Sequence, residues 1–198
     1  MMSFWKRFSY NRGAVIGLVI LTFVIAAAIL APILFPQSPW KMVQRPFLPP
    51  FTQDGLLLGT DALGRNVLAG LAHGAYVSLL VGLVSTIVAL AIGVPVGAAA
   101  GYFAGRLDDA LMRFTEFFQT IPSFALAIVL LAIFQPSLTF VIIAISIVSW
   151  PPVARLVRGE VLSLRTREFV EAASLSGLGN LQIITRHILP NALPPIIV

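Results

Sequence analysis

Asp109, Arg113, Glu116 and Thr120 fall at i, i+4, i+7 and i+11 in one stretch of this sequence, a spacing that puts them on a single helical stripe. Two chemistries suit such a stripe: an ion-pair network that holds helices together, or the border of a water-filled route, since ionisable groups near hydrocarbon face an interior or a cavity. A second polar segment, Glu171 to Pro190, reads EAASLSGLGNLQIITRHILP and is set between apolar stretches, where it reads as a socket for a second protein. Bond-making chemistry is not supported. The chain has no cysteine, which excludes thiolate, disulfide and zinc-thiolate sites. His73 and His187 lie outside the apolar runs, away from any relay or metal site at mid-membrane. Ser85, Ser123, Ser146 and Ser149 have no neighbouring base, and no G-x-x-x-x-G-K-[ST] phosphate cradle occurs. No catalytic residue, metal ligand or cofactor is expected.

The elements that must position these groups are membrane helices. Hydrophobic residues make up 58% of the 198 and charged residues 11%, a balance that a soluble fold could not bury. The net charge of +5 is spread in clusters at the ends of apolar runs, which signals topology and not nucleic-acid binding. Ala14 to Phe35 is an uncharged run long enough to span; a basic start and Ala26-Ala27-Ala28 raise a signal peptide as the rival, but the run exceeds a secretory core. Gln37 to His73 is a Pro-rich connection in which Thr60 or Asp61 caps a short helix and Asp61 and Arg65 form an i,i+4 pair. Thr60, Asp61 and Arg65 are therefore either a capped surface helix or an extracytoplasmic docking surface. Tyr76 to Phe103 is the second span, with Pro95 within it and a row of small residues, Ser85, Ala89, Gly93, Gly97, Gly101 and Gly105, that lets another helix approach closely. Leu107 to Phe134 is expected as a third continuous helix, and Leu138 to Val157, interrupted at Pro151-Pro152, as the fourth span.

Within the polar segment, residues 167–176 favour helix and Gly177 stops it in the left-handed conformation. Asn180 then caps a second helix with Leu181, Ile184 and Ile188 on one face, broken by Pro190. With a cytoplasmic amino terminus, the inside loops hold Lys6, Arg7, Arg12, Arg106, Arg113, Arg155, Arg158, Arg165, Arg167 and Arg186, against Lys41, Arg45 and Arg65 outside. That asymmetry places the helix-turn-helix in the cytoplasm. The chain is thus read as an all-α polytopic bundle of four spans plus the start of a fifth. Residues 1–75 carry the first span and outer loop, and 76–198 an incomplete core with a cytoplasmic loop at 163–190. Asn191 to Val198 is too short to cross, so the chain is expected to be truncated at its C-terminal end.

Glu171-Ala172-Ala173, then Gly177, then Leu189-Pro190 resembles the EAA loop of the membrane subunits of ABC importers, with His187 where that pattern usually has isoleucine. Asn11-Arg12, Ala31-Pro32, residues 59–65 (GTDALGR) and residues 165–191 are similar to the second permease subunit of the oligopeptide, dipeptide and nickel branch; Asn66 and Tyr76 depart from it. The resemblance implies a type I importer fold at the inner membrane. It also implies partners: a sister permease in a heterodimer, two ATP-binding subunits that hydrolyse the ATP, and an extracytoplasmic solute-binding protein. Glu171, Ala172, Ala173, Gly177, Leu189 and Pro190 would then form the ATPase coupling surface, with peptide as the cargo, and nickel or another small solute as the alternative. A membrane assembly protein without transport activity is the reading from another class.

Overall fold

The computed structural model describes residues 8–134 and 137–192. The regular elements among them are helices: α1 (Arg12–Leu34), α2 (Val67–Phe103), α3 (Gly105–Gln119), α4 (Ser123–Ile133), α5 (Leu138–Leu164), α6 (Glu168–Leu175) and α7 (Asn180–Ile183), the last continuing through a π-helical turn, Ile184–Ile188. Helices α1, α2 and α5 are each long and apolar enough to cross a membrane; the bent pair α3 and α4 makes a fourth if counted as one span. The apolar start after Asn191 and the basic residues Lys6 and Arg7 lie wholly or largely outside the described residues. The chain divides into two compact units, Met1–Leu80 and Val81–Val198, with α2 running through the division.

In the first unit, Asn11 starts α1 by accepting the Ala14 N–H at 3.2 Å through its side chain. Only Ala28 and Ala31 of α1 are buried, so nearly the whole helix offers apolar side chains to its surroundings. The connection from Phe35 to Asn66 folds around Thr60. Its hydroxyl donates to the Arg45 carbonyl at 2.8 Å and accepts the Leu48 N–H at 2.9 Å, and the side chain is buried. Gly59 beside it has φ +71°, and a Cβ there would collide with the Leu48 carbonyl. Asp61 closes the next turn by accepting the N–H groups of Arg65 and Leu63 at 2.9 and 2.8 Å. The Arg65 N–H, opposed by desolvation and aided by that of Leu63, holds the Asp61 carboxyl below its ordinary pKa.

This corrects the expected capped helix after Gly59. Residues 61–66 are a turn, and the helix begins at Val67, where Asn66 Oδ1 accepts the N–H groups of Leu68 and Ala69 at 3.0 and 3.2 Å. Asp61 and Arg65 meet through carboxylate and backbone, while the Arg65 guanidinium lies over the Trp40 ring, 5.1 Å from its centroid.

The second unit is built on the seam between α2 and α5. Ser85 and Ala89 are buried, and Gly93, Gly97 and Gly101 meet the backbone and valines of α5 so closely that a Cβ at any of them would overlap atoms of Trp150, Val153, Ala154, Val157, Arg158 or Val161. Close backbone approach of this kind substitutes dispersion for the hydrophobic effect that lipid cannot supply. Gly105 is not part of the seam. It follows Ala104 in a two-residue turn of positive φ, +51° and +58°, that separates α2 from α3. The α5 helix runs unbroken through Pro151 and Pro152, although these prolines leave the Ile147 and Val148 carbonyls without their usual N–H partners. Pro151 is buried in the packed seam, and packing holds the helix that proline would otherwise break.

The expected third helix of continuous path from Leu107 to Phe134 is also corrected. It breaks at Thr120–Pro122, and α3 and α4 diverge by 72°. Pro122 disfavours helical backbone at Ile121 and removes a donor, which is sufficient cause for the break. The α3 helix packs on α5 through an aromatic group in which Phe118 meets Trp150 edge-on at 5.3 Å, and through Arg155, whose Nη1 donates to Gln119 Oε1 at 2.9 Å.

Candidate functional site

Beyond α5 the chain turns at Thr166 and enters a helical hairpin. Arg167 is the N-cap of α6, in which Val170 and Ala173 point into a core formed with Ala98, Val157, Val161, Ile183, Ile184 and Ile188. The other side of the same helix carries Glu168, Glu171, Ala172 and Leu175 at i, i+3, i+4 and i+7, all exposed, Leu175 by 90%. Two carboxylates, a small side chain and a free leucine therefore share one outward stripe on a helix whose inner side is fixed.

Gly177 ends α6. Its N–H donates to the Ser174 carbonyl at 3.0 Å, and the Leu178 N–H donates to Ala173 at 3.3 Å, the paired bonds of a Schellman turn. The glycine has φ +78°, and a Cβ there would meet nothing within 4 Å. Conformation and not space constrains this position within the chain. Gly177→Asn, which tolerates left-handed backbone, is expected to keep the thermal midpoint of the detergent-solubilised protein, and Gly177→Val to lower stability by about 1–2 kcal/mol. Equal loss in both would refute the conformational account.

The second arm differs from its expected form at three points. Gly179, not Asn180, is the N-cap, its N–H donating to Gln182 Oε1 at 3.4 Å, while Asn180 Oδ1 accepts the Tyr102 hydroxyl at 3.1 Å. Leu181 is 74% exposed, and the buried side is Ile183, Ile184 and Ile188. Pro190 does not end the helix, which continues through residues 189–192; the π-turn ahead of it, with the Leu189 N–H reaching back to Ile184, absorbs the missing donor. The π-turn adds a residue to the helical pitch, so a simple i, i+3, i+7 count misplaces the face. Arg165 Nη1 donates to the Tyr102 carbonyl at 3.2 Å, so Tyr102 at the end of α2 holds the second arm of the hairpin by its hydroxyl and the end of α5 by its carbonyl.

The structure divides the six expected coupling residues. Glu171, Ala172, Gly177 and Pro190 are exposed, Leu189 is half-buried and Ala173 lies inside the core. Glu168 and Leu175 join the exposed stripe and were missed; their signal is the i−3 and i+4 relation to Glu171 on a helix whose apolar pair, Val170 and Ala173, faces the other way.

Asp109, Arg113, Glu116 and Thr120 are all exposed on α3, and no ion pair joins them among the described residues. The close ion pair between these helices runs through Asp108, one position along and buried, which takes Arg158 Nε at 2.5 Å and Nη2 at 2.6 Å, while Asp109 and Glu116 act on the same Arg158 from a greater distance. Asp108 lies on the side of α3 that carries buried Thr115, seven residues on, the register that faces α5. Of the expected outer docking set, Thr60 is buried and its hydroxyl is committed to loop backbone, whereas Asp61 and Arg65 are half-exposed.

Residues 93–198 match the model of the binding-protein-dependent transport system inner membrane component, and residues 1–54 that of the N-terminal TM domain of oligopeptide transport permease C. The chain is 38% identical over 204 residues to a di/tripeptide transport system permease protein of Pseudomonas aeruginosa, covering 100% of this chain and 67% of that one. It is 38% identical to an oligopeptide transport system permease protein of Haemophilus influenzae, covering 95% and 61%. A dipeptide transport system permease protein of Bacillus subtilis is 36% identical, covering 98% and 60%. The chain thus spans about two thirds of the length of these curated relatives or somewhat less.

Proposed function

Because this chain belongs to the family of binding-protein-dependent transport system inner membrane components, a multi-pass membrane family, we propose that it is a permease subunit of an ATP-driven peptide importer, coupled to a separate ATPase through the hairpin at residues 167–192. The observation that carries the coupling is the two-sided α6. Its outward stripe, Glu168, Glu171, Ala172 and Leu175, is free for a partner, while Val170 and Ala173 lock its inner side to α5 and Tyr102 ties the hairpin to α2. A push on the stripe is delivered to two membrane helices without slack. By this reading the amino terminus is cytoplasmic, a sister permease completes the pathway, two ATPase subunits act on the hairpins, and a solute-binding protein delivers cargo from outside. Peptide is preferred to nickel because the relatives are named for di/tripeptide, oligopeptide and dipeptide transport. Asp109, Arg113 and Glu116, exposed and in no close ion pair among the described residues, are proposed to border the pathway.

Leu175→Asp combined with Glu171→Lys is expected to reduce ATP-dependent peptide uptake by reconstituted vesicles more than tenfold, the scale of losing an interface hot spot, with the thermal midpoint unchanged. Uptake at the wild-type rate would remove α6 from the coupling surface. Absence of peptide uptake by the wild-type complex would instead favour an assembly role.

A further inference from the structure

The first unit holds a cavity of about 520 Å³ between the outer turn and the first turns of α2, with Trp40, Asp61, Arg65, Leu71, His73 and Val77 in its wall. Arg65 is the cation of this cavity. Its guanidinium lies over Trp40, and its buried Nε has no hydrogen-bond partner among the described residues. A buried donor left unmade costs about 1–3 kcal/mol, more for a charged group, so an arginine held this way is set for an acceptor from outside the chain. Asp61 stands in the same wall with Oδ1 taken by two backbone N–H groups, so a purely anionic guest meets repulsion there. His73 in the same wall has its Nε2 within 3.0 Å of the Phe35 carbonyl.

Depth selects the source of the guest. The α2 helix of 37 residues is about 55 Å long, well beyond the about 30 Å of hydrocarbon, so it overshoots a bilayer, and the polar connection joined at Val67 puts overshoot at its first turns. Leu71 and Val77 continue the cavity wall down into that apolar stretch, and the Trp40 ring, 73% exposed, is of the type enriched at headgroup level. We infer that this cavity binds one phospholipid with a zwitterionic amino headgroup, the phosphate on Arg65 and the ammonium towards Asp61, with an acyl chain following Leu71 and Val77. Such a lipid would complete the Arg65 hydrogen bonding and cement the loop to α2 at the membrane surface. The proposal needs only that α2 spans a membrane and is independent of what is transported.

The test is native mass spectrometry of the complex extracted in mild detergent, titrated with phosphatidylethanolamine, phosphatidylglycerol or inorganic phosphate. One phosphatidylethanolamine is expected to bind, at least tenfold more tightly than phosphatidylglycerol. Arg65→Gln is expected to weaken it at least tenfold, Arg65→Lys less, and Lys41→Gln, a charge change in the same loop outside this cavity, not at all. Millimolar phosphate is expected not to displace the lipid. The inference is overturned if Arg65→Gln binds normally, if Lys41→Gln loses as much, if phosphate competes, or if phosphatidylglycerol binds equally. The lipid comparison on the unaltered protein decides the matter even where a variant fails to fold.

Discussion

Gly97→Leu is expected to prevent the second unit from folding, whereas Gly159→Ala on the partner helix is expected to leave it intact or stabilise it by about 1 kcal/mol. At Gly97 a first side-chain carbon would overlap the Ala154 carbonyl and sit 2.8 Å from Val157 Cβ and 3.0 Å from the Arg158 nitrogen. Two of these three atoms are backbone, so no rotamer change relieves the contact and α5 must move as a body. That movement would part Ala98 from Val157 and Val161, the residues on which the hairpin core is built. Overpacking a well-packed core costs about 1–3 kcal/mol even where side chains can give way, and leucine against backbone should exceed that. Gly159 lies in the same helix with nothing within 4 Å of an added Cβ, so alanine there gains helix propensity only. Fluorescence-detected size exclusion and thermal melting of the extracted protein measure both. A Gly97→Leu protein that melts as the unaltered one would show that the α2–α5 approach is not the close one described.

The features legible in the sequence are those carried by composition and local spacing. Apolar runs gave the spans, small residues every fourth position gave the seam of Gly93, Gly97 and Gly101, and Gly177 gave the end of α6 through its backbone freedom. Features decided by packing did not show. Pro151-Pro152 reads as an interruption and Pro122 as one residue among many, yet the first pair is held helical by the buried seam and the second turns the chain by 72°. Proline removes the same donor in each case; whether the helix survives depends on what the flanks are packed against. The hairpin shows the same division. The spacing of the loop singles out Glu171 and Ala172, which are exposed, but Ala173 is turned inward and Leu175 outward by the register of α6 on its core, which no local count contains. Asp108 was passed over for Asp109 because the stripe that is polar throughout is the exposed one, and the residue that pairs lies off it on the side facing α5.

That lone pairing supports the second large effect. Arg158→Ala is expected to destabilise the second unit by about 3 kcal/mol, and Asp108→Ala by less, although each removes the same two bonds. The difference lies in what is left behind. Without Arg158 the Asp108 carboxylate, 9% exposed, keeps neither partner nor solvent, and an uncompensated buried charge costs about 3–5 kcal/mol. Without Asp108 the arginine side chain, 36% exposed, can turn its head to water or lipid phosphate. Arg158 also stands where three elements meet: its carbonyl lies under Gly101 of α2, its side chain clamps α3, and its helix leads to the hairpin. Loss of the clamp should therefore loosen α3 from α5 and the hairpin, and under the function proposed above peptide uptake should fall with stability. Asp108→Asn with Arg158→Gln, a neutral pair that can still hydrogen-bond, is expected to recover most of the loss, because it removes the stranded charge and keeps a polar contact. Thermal melting of the unaltered protein, the two alanine variants and their double-alanine combination is a double-mutant cycle that reads the coupling directly, with the neutral pair melted beside them. Equal destabilisation by the two alanine variants, or no recovery in the neutral pair, would mean that the bidentate contact and not the buried carboxylate sets the energetics of this junction.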